Sequence, residues 1–247
     1  MSGLAAFVAD HFSPGSVTAF VGAGGKSAGI RAVAELCAAR GIRVLVTTTT
    51  RIATDDFPLF PVFPVTSGAG LRAAMDTPDP VRVVVSAGPG PDGKLIGIDA
   101  SMIDDAPRPR DSVILVEADG SRRRPLKVPT ARDPVIPAST GLVLGTMGAT
   151  GFGKPVTEDI CYNAAGALAI LGTESGSFDA PSLVRIAAHA DGLRKGVLPG
   201  MAFHVIVNQG DVAATREQAR QTVAALRDSG LDATLLSWRE GVTYDPA

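Results

Sequence analysis

The segment from Val17 to Ser27 joins an apolar run to a glycine-rich turn that could bind phosphate. The turn reads Gly22-Ala23-Gly24-Gly25-Lys26-Ser27, and we call it the glycine loop. Glycines let backbone N–H groups approach a phosphate without Cβ clashes, and the helix that follows would add its positive N-terminal end. Lys26 would reach the outer phosphates, and Ser27 would ligate Mg²⁺. The loop therefore predicts a nucleotide phosphate site.

The spacing of this loop differs from the common P-loop pattern. That pattern has a glycine five residues before the final Gly-Lys pair, and Phe20 occupies this position in the chain. The remaining Gly-x-x-Gly-Lys-Ser form is shorter, so an ordinary strand-to-helix turn with a solvated lysine is the alternative. The order of strand, turn and helix favours the phosphate site.

A second apolar run, from Val113 to Val116, ends in the carboxylates Glu117 and Asp119. An acid at a strand end is the Walker-B arrangement, in which it orients Mg²⁺ or a water molecule. Alternation places both carboxylates on one side of the strand. We assign Asp119 to the metal and Glu117 to water or substrate, although the reverse assignment is also open. A strand-ending Asp-Gly pair can also be only a turn.

Two polar clusters follow the predicted strand ends near this acid pair. Thr47–Thr50, including Thr48 and Thr49, precede Arg51 and could bind Mg²⁺, a terminal phosphate or an anionic substrate. The alternative is that β-branched threonines simply finish the strand. Arg122–Arg124 and Lys127 follow the acids and could bind a second anion or stabilise transferring charge, with Arg122 as a catalytic candidate. A solvated basic loop is the alternative for these arginines.

The segment Asn208-Gln209-Gly210-Asp211 follows another buried run. It resembles the Asn-Lys-x-Asp element with which GTPases bind guanine, since an aspartate accepts hydrogen bonds that adenine cannot donate in that pattern. Gln209 replaces the usual lysine, and a turn that caps the next helix is the alternative. The expected ligand is therefore ATP or GTP with Mg²⁺, with Asn208 and Asp211 favouring GTP.

The elements that must position these clusters alternate between strands and helices. The predicted helices are 4–12, 28–40, 158–171, 180–191 and 213–229, and the predicted strands are 17–21, 42–47, 81–86, 93–98, 112–117, 141–146, 202–207 and 233–236. This alternation predicts a doubly wound α/β fold, P-loop NTPase-like, with a mostly parallel sheet and helices on both faces. We expect one domain over residues 1–247, with an irregular Pro/Gly-rich decoration at about 54–110.

Composition excludes several classes of protein. The 247 residues are 45% hydrophobic, which argues against disorder. A net charge of −2 and an aromatic content of 5% argue against a nucleic-acid binder. The two cysteines and three histidines lack metal-ligand spacing. We see neither a signal peptide nor a bilayer-spanning run, so we expect a cytoplasmic protein without membrane contact.

These clusters together resemble the YqeC-like family, accessory proteins of selenium-dependent molybdenum hydroxylases. The matching elements are the glycine loop, Thr47–Thr50, Glu117–Arg122, Pro125–Lys127, Asp133–Pro137, Gly192–Gly196 and Asn208–Asp211. Arg51 and Asp133 depart from the residues usual in the family, and so does Ser27, where threonine is common. The resemblance implies a nucleotide site and a role in maturing a selenium-containing molybdenum cofactor. A molybdopterin-type cofactor or a molybdenum hydroxylase is then the expected partner.

Three functions are compatible with these residues. The first is a Mg²⁺-dependent NTPase or phosphoryl-transfer enzyme. The second is a Mur-like ligase or a kinase, which would bind a small anionic substrate through Arg51 and Arg122–Arg124. The third is a non-hydrolytic carrier or chaperone, in which the glycine loop binds the phosphate of a pterin-type cofactor.

Overall fold

The computed structural model describes residues 3–57, 60–77, 81–85, 88–90, 93–106 and 111–244. Its helices are α1 Gly3–His11, α2 Lys26–Ala39, α3 Gly68–Met75, α4 Ala100–Asp104, α5 Ala164–Leu171, α6 Ala180–Ala188 and α7 Ala213–Asp228. Its strands are β1 Val17–Gly22, β2 Arg43–Thr48, β3 Arg51–Ile52, β4 Val62–Pro64, β5 Val81–Val85, β6 Leu95–Ile96, β7 Ser112–Glu117, β8 Leu126–Lys127, β9 Leu142–Gly148, β10 Cys161–Tyr162, β11 Ala202–Asn208, β12 Asp232–Ser237 and β13 Val242–Thr243. None of the helices in these ranges is long and apolar enough to cross a membrane.

The central sheet has the strand order β13-β12-β11-β9-β1-β7-β2-β5-β4. All neighbouring strands are parallel except the short β13, which pairs antiparallel with β12. Every residue of β1 and β7 is buried, as expected for strands that are covered on both faces. The predicted α/β fold with a mostly parallel sheet is confirmed.

The two faces of the sheet pack against different helices. On one face, Phe7 of α1 and Ile30 and Val33 of α2 join a buried apolar cluster. On the other face, α3 to α7 contribute to a second cluster, with Leu183 of α6 and Val223 of α7 among its members. Because α2 follows β1 directly, its packing fixes the turn at the glycine loop.

Part of the proline-rich region joins the central sheet. The parallel strands β4 and β5 form its edge beyond β2. β5 corresponds to the predicted strand 81–86, of which residue 86 lies outside the described residues. The predicted strand 93–98 is shorter, and as β6 it pairs with β3 in a separate antiparallel sheet. That small sheet places Arg51 and Lys94 beside the loops of the main sheet.

The predicted helix 158–171 is wrong in its first half. Residues 161–162 form β10, and α5 begins only at Ala164. Asn163 has a φ of 66° and caps the helix, since its side chain accepts a hydrogen bond from the Gly166 N–H. The Glu158 carboxylate accepts a further bond from the Ala164 N–H. These polar side chains satisfy the first-turn amides and start the helix later than apolar spacing suggests.

Candidate functional site

The glycine loop connects the end of β1 to the start of α2. Gly22, Gly24 and Gly25 have φ angles of 89°, 83° and 125°, a region that side chains disfavour. A Cβ atom on Gly24 would lie 2.2 Å from the Gly148 backbone nitrogen. Gly25 caps α2 without a side-chain hydrogen bond, and the first-turn amides of a helix have no intrahelical acceptor. These amides are therefore suited to bind an anion.

Glu117 lies beside the start of α2 because of the register between β1 and β7. In that register Phe20 pairs with Glu117 at the carboxyl ends of the two strands. The Ser27 hydroxyl donates a hydrogen bond of 3.0 Å to Glu117 Oε2. Lys26 Nζ lies 4.0 Å from Glu117 Oε1 and donates a 2.6 Å bond to the Gly22 carbonyl. A hydroxyl and a carboxylate thus meet where a metal bound to a phosphate could be held.

Asp119 is fully buried behind the loop rather than beside Ser27. Its Oδ2 accepts a 2.9 Å hydrogen bond from the Gly22 N–H and lies 3.0 Å from Lys127 Nζ. Its Oδ1 lies 3.1 Å from Lys26 Nζ. Two ammonium groups and an amide therefore surround this carboxylate. The geometry therefore favours Glu117 over Asp119 as the metal ligand, because Glu117 is the acid next to Ser27.

Lys127 extends this ion-pair network away from the loop. Its side chain is 0% exposed. It donates a hydrogen bond of 2.7 Å to the Gly120 carbonyl and forms an ion pair with Asp133. Asp133 Oδ1 in turn accepts bonds from the backbone N–H and the hydroxyl of Thr130. We refer to Lys26, Glu117, Asp119, Lys127 and Asp133 as the buried charge cluster.

Burial and charge act in opposite directions on the pKa values of this cluster. Burial raises the pKa of Glu117 to about 7, although Lys26 and the Ser27 hydrogen bond act to lower it. For Lys26, burial acts to lower the pKa, but Asp119 and Glu117 outweigh it and hold the pKa above its usual value. Burial acts to raise the pKa of Asp133, but hydrogen bonds from Lys127 and Thr130 outweigh it and hold this pKa below its usual value. Lys26 and Asp133 therefore stay charged at neutral pH, whereas Glu117 titrates there.

A cavity of about 680 Å³ lies next to the glycine loop at the carboxyl edge of the sheet. Among the described residues its lining is Gly24, Gly25, Lys26, Ser27, Ala28, Arg31, Arg51, Ala53, Asp55, Asp56, Lys94, Glu117, Gly120, Ser121, Arg122, Arg123, Arg124, Pro125, Thr150 and Gln209. Nine candidates from the sequence are in this lining: Gly24, Gly25, Lys26, Ser27, Arg51, Glu117, Arg122, Arg123 and Arg124. Gly22, Ala23 and Asp119 are buried at the base of the loop instead.

Thr48 and Thr49 support the acid strand and are not part of the cavity lining. The Thr48 hydroxyl and the Thr49 N–H both donate to the Glu117 carbonyl, at 2.8 and 3.2 Å. The Thr49 hydroxyl donates to the Val135 carbonyl at 2.7 Å. These threonines tie the end of β2 to the end of β7 and so hold Glu117 in place.

The comparison with protein families matches a model described as "YqeC protein" to residues 18–165, more than half of the chain. The chain belongs to the YqeC family. A relative from Escherichia coli (strain K12), described as "Uncharacterized protein YqeC", is 35% identical over 189 residues, which are 75% of this chain and 72% of the relative. In this YqeC-family chain the matched range contains the glycine loop, Glu117 and the arginines after β7, but not Asn208 or Gln209.

Asn208 and Asp211 have partners within the protein. The Asn208 side-chain amide donates a 2.7 Å hydrogen bond to the Gly24 carbonyl, and its oxygen accepts one of 3.1 Å from the backbone N–H of Trp238. The Asp211 carboxylate forms an ion pair with Arg239, and neither residue lines the cavity. Asn208 therefore holds the glycine loop, and the geometry lends no support to base recognition by Asp211.

Several residues of the cavity were not predicted from the sequence to contact a ligand. Thr150 and Gln209 line it next to the glycine loop, and the Thr150 hydroxyl donates a 2.7 Å hydrogen bond to Gln209 Oε1. Thr150 follows β9 and Gln209 follows β11. Ligands of open α/β sheets bind beyond the carboxyl ends of the strands, so this position could have identified both residues from the sequence. Asp55 and Lys94 come from the long connection between β2 and β7, where the sequence carried no motif.

The pKa of Glu117 gives a first prediction. Because it is raised from 4.5 to about 7 on folding, the folded protein binds this proton more tightly, and the free energy of unfolding falls as pH rises through that window. We expect Glu117→Gln to remove this dependence, worth on the order of 3 kcal/mol. Urea unfolding at pH 5 and pH 8 measures it, with the exposed Glu217→Gln as control. Equal pH dependence in wild type and Glu117→Gln would contradict the assignment.

Proposed function

We propose that this YqeC-family chain binds a Mg²⁺–nucleoside triphosphate at the glycine loop and hydrolyses or transfers its terminal phosphate. The observation that carries the proposal is the 3.0 Å hydrogen bond between Ser27 and Glu117 beside Lys26. It joins a P-loop hydroxyl to a strand-end acid at a helix start that has no side-chain cap. Phosphoryl transfer needs these parts because it depends on positioning and charge neutralisation.

The contacts around the glycine loop support specific roles for the residues there. An ammonium group has three N–H donors, so Lys26 can keep its contacts with Gly22 and Asp119 and still donate to a β- or γ-phosphate oxygen. Ser27 and Glu117 would hold Mg²⁺, which binds through few protein ligands when phosphates and waters supply the rest. Asp119 would orient Lys26 from behind. Arg122, at the cavity wall, would contact the charge that develops on the transferred group.

The proposed biological role rests on the resemblance to accessory proteins of selenium-dependent molybdenum hydroxylases. In that role, nucleotide turnover would accompany maturation of a selenium-containing molybdenum cofactor or its insertion into the hydroxylase. The arginine-rich wall of the cavity favours one other function, a Mur-like ligase or kinase that acts on a small anionic substrate. Turnover that depends strictly on such a second substrate would select this function.

Calorimetry with ATP and GTP, each with Mg²⁺ and with EDTA, tests the proposal. We expect one nucleotide per chain and tighter binding with Mg²⁺. The chain has one tryptophan, and its indole ring packs against Gly29 of α2, where a Cβ atom would lie 2.8 Å from Trp238 Cε2, so its fluorescence should change on binding. Absence of binding for both nucleotides would refute the proposal. Binding of a molybdopterin nucleotide without turnover of ATP or GTP would instead identify a carrier.

The hydroxyl of Ser27 gives a second prediction. Ser27→Ala removes a metal ligand and the partner of Glu117, so we expect the Mg²⁺-dependent part of the nucleotide affinity to fall about tenfold. Binding in EDTA should change little. Titrations with and without Mg²⁺ measure this difference, and Ser175→Ala, at an exposed serine outside the cavity, is the control. An equal loss in both conditions would contradict a metal role.

The ion pair of Asp211 gives a third prediction. Since its carboxylate contacts Arg239 outside the cavity lining, Asp211→Asn should leave the ratio of ATP to GTP affinity unchanged. Competition titrations of the two nucleotides against wild type and variant measure this ratio. A selective loss of GTP affinity would restore the guanine-binding role suggested by the sequence.

A further inference from the structure

The cavity crosses five neighbouring strands of the central sheet, in the order β11-β9-β1-β7-β2. Its lining includes a residue that closely follows each of them in the chain: Gln209, Thr150, Gly24, Gly120 and Arg51, the first residue of β3. Adjacent strands lie about 4.8 Å apart, so the four gaps between β11 and β2 span about 19 Å. The glycine loop is in the middle, and the cavity extends to both sides of it.

The two sides differ in charge. The lining residues that directly follow β9 and β11 in the chain, Thr150 and Gln209, are uncharged. The lining residues that follow β2 and β7 in the chain, together with Glu117 at the end of β7 and Arg31 of α2, include six cationic residues, Arg31, Arg51, Lys94, Arg122, Arg123 and Arg124, and three acidic ones, Asp55, Asp56 and Glu117. We call this second side the cationic half. A nucleoside carries no charge and suits the neutral side, while the glycine loop itself takes the phosphates.

The arginine loop, residues 120–124, forms the wall of the cationic half after β7. Arg122 and Arg123 have φ angles of 50° and 60°, a left-handed conformation that is concentrated at functional sites in non-glycine residues. The Arg122 guanidinium lies 5.1 Å from the centre of the Tyr162 ring, a cation–π contact that orients it. At the start of the loop, Lys127 Nζ donates to the Gly120 carbonyl at 2.7 Å. The buried charge cluster thus fixes this loop.

The arginines of this loop differ in their contacts with acids. Arg124 is paired with Asp159 at 3.5 Å. Arg122 and Arg123 are exposed and line the cavity, and guanidinium groups bind phosphate and carboxylate groups in a bidentate manner. A site made of these two side chains would therefore take an anion rather than a neutral ligand.

We propose that the cationic half binds a second small molecule that carries phosphate or carboxylate groups, next to the terminal phosphate of the nucleotide. This inference rests on the proposed function, since it takes the glycine loop as the nucleotide phosphate site. It adds a substrate class, an anionic co-substrate, and an orientation in which the nucleoside points toward β9 and β11. Arg122 and Arg123 are its principal binding residues.

The test uses the full chain saturated with Mg²⁺ and a non-hydrolysable ATP or GTP analogue, so that the glycine loop is occupied. Calorimetric titration with inorganic phosphate and, separately, with succinate should show one further binding event, and the preferred probe identifies phosphate or carboxylate chemistry. Arg122→Ser with Arg123→Ser should weaken it about tenfold or more. Arg132→Ser, at an exposed arginine outside the cavity, should leave it unchanged.

The possible failures are distinguishable. If the analogue binds but neither probe does, or if the double variant binds both probes as wild type does, the anion site is refuted and the nucleotide proposal stands. If no nucleotide binds, the proposed function fails. In that case, phosphate or succinate is titrated into the free protein. Binding that is lost in the double variant would still show an anion site formed by Arg122 and Arg123. Thermal unfolding of the double variant confirms that it is folded before either result is read.

Discussion

Lys127→Met is expected to lower the free energy of unfolding by about 3–5 kcal/mol, the usual cost of removing one partner of a buried ion pair. Lys127 is fully buried and contacts the carboxylates of Asp119 and Asp133. Methionine fills a similar volume, so the loss comes from charge rather than from a cavity. Asp119 would keep Lys26 and the Gly22 N–H, but Asp133 would lose its ammonium partner. Urea unfolding at pH 7 measures the effect.

Two further variants separate charge from packing in this prediction. Lys154→Met makes the same substitution at an exposed lysine and should change stability by less than about 0.5 kcal/mol. Adding Asp133→Asn to Lys127→Met removes the negative charge that has lost its ammonium partner, and we expect it to recover part of the lost stability. A loss below about 1 kcal/mol for Lys127→Met alone, or no recovery in the double variant, would show that Lys127 does not stabilise the cluster.

The order of β1, α2, β2, β7, β9, α6, β11, α7 and β12 was readable from the sequence because apolar periodicity reports which segments are buried. The strand from Ser112 to Glu117 has the predicted bounds, since every one of its residues is buried and polar residues flank it. The segment 158–163 was not readable in this way. There, side-chain caps from Glu158 and Asn163 decide where the helix starts, and periodicity does not report caps.

The glycine loop and the acid pair could be located from the sequence, but the roles of the two acids could not. Alternation places Glu117 and Asp119 on one side of an extended strand. β7 ends at Glu117, however, so alternation no longer applies to Asp119. The pairing of Phe20 with Glu117 then decides which acid meets Ser27. Register between strands that are distant in sequence depends on tertiary packing, which a single chain pattern does not encode.

The polar clusters after β2 and β11 illustrate a related limit. Thr48, Thr49 and Asn208 lie at the carboxyl edge of the sheet, as their position in the sequence suggests. Their hydrogen bonds go to the backbone of Glu117, Val135 and Gly24, so they position the loops around the cavity. Residue type and strand position predicted that these side chains lie near the site. The acceptors of their hydrogen bonds, which only the structure gives, show that they hold the surrounding loops.

Lys26→Met is expected to reduce the affinity for Mg²⁺–ATP or Mg²⁺–GTP by between about tenfold and about hundredfold, the usual worth of one hydrogen bond from a charged group. The side chain starts at the first helical residue of α2 and lines the cavity. Its ammonium group is held in place by the Gly22 carbonyl at 2.6 Å and by Asp119 at 3.1 Å. Because these contacts exist before any ligand binds, little ordering opposes the contact with phosphate.

Calorimetry measures this affinity, and thermal unfolding of the same samples shows whether the variant is folded. We expect Lys26→Met to be less destabilised than Lys127→Met, because Asp119 keeps its contacts with Lys127 and the Gly22 N–H and Asp133 keeps its lysine. Lys154→Met should bind nucleotide as wild type does. Unchanged affinity in a folded Lys26→Met protein would assign Lys26 to the buried charge cluster alone. The phosphate contacts would then have to come from the first-turn amides of α2 and from the arginines of the cationic half.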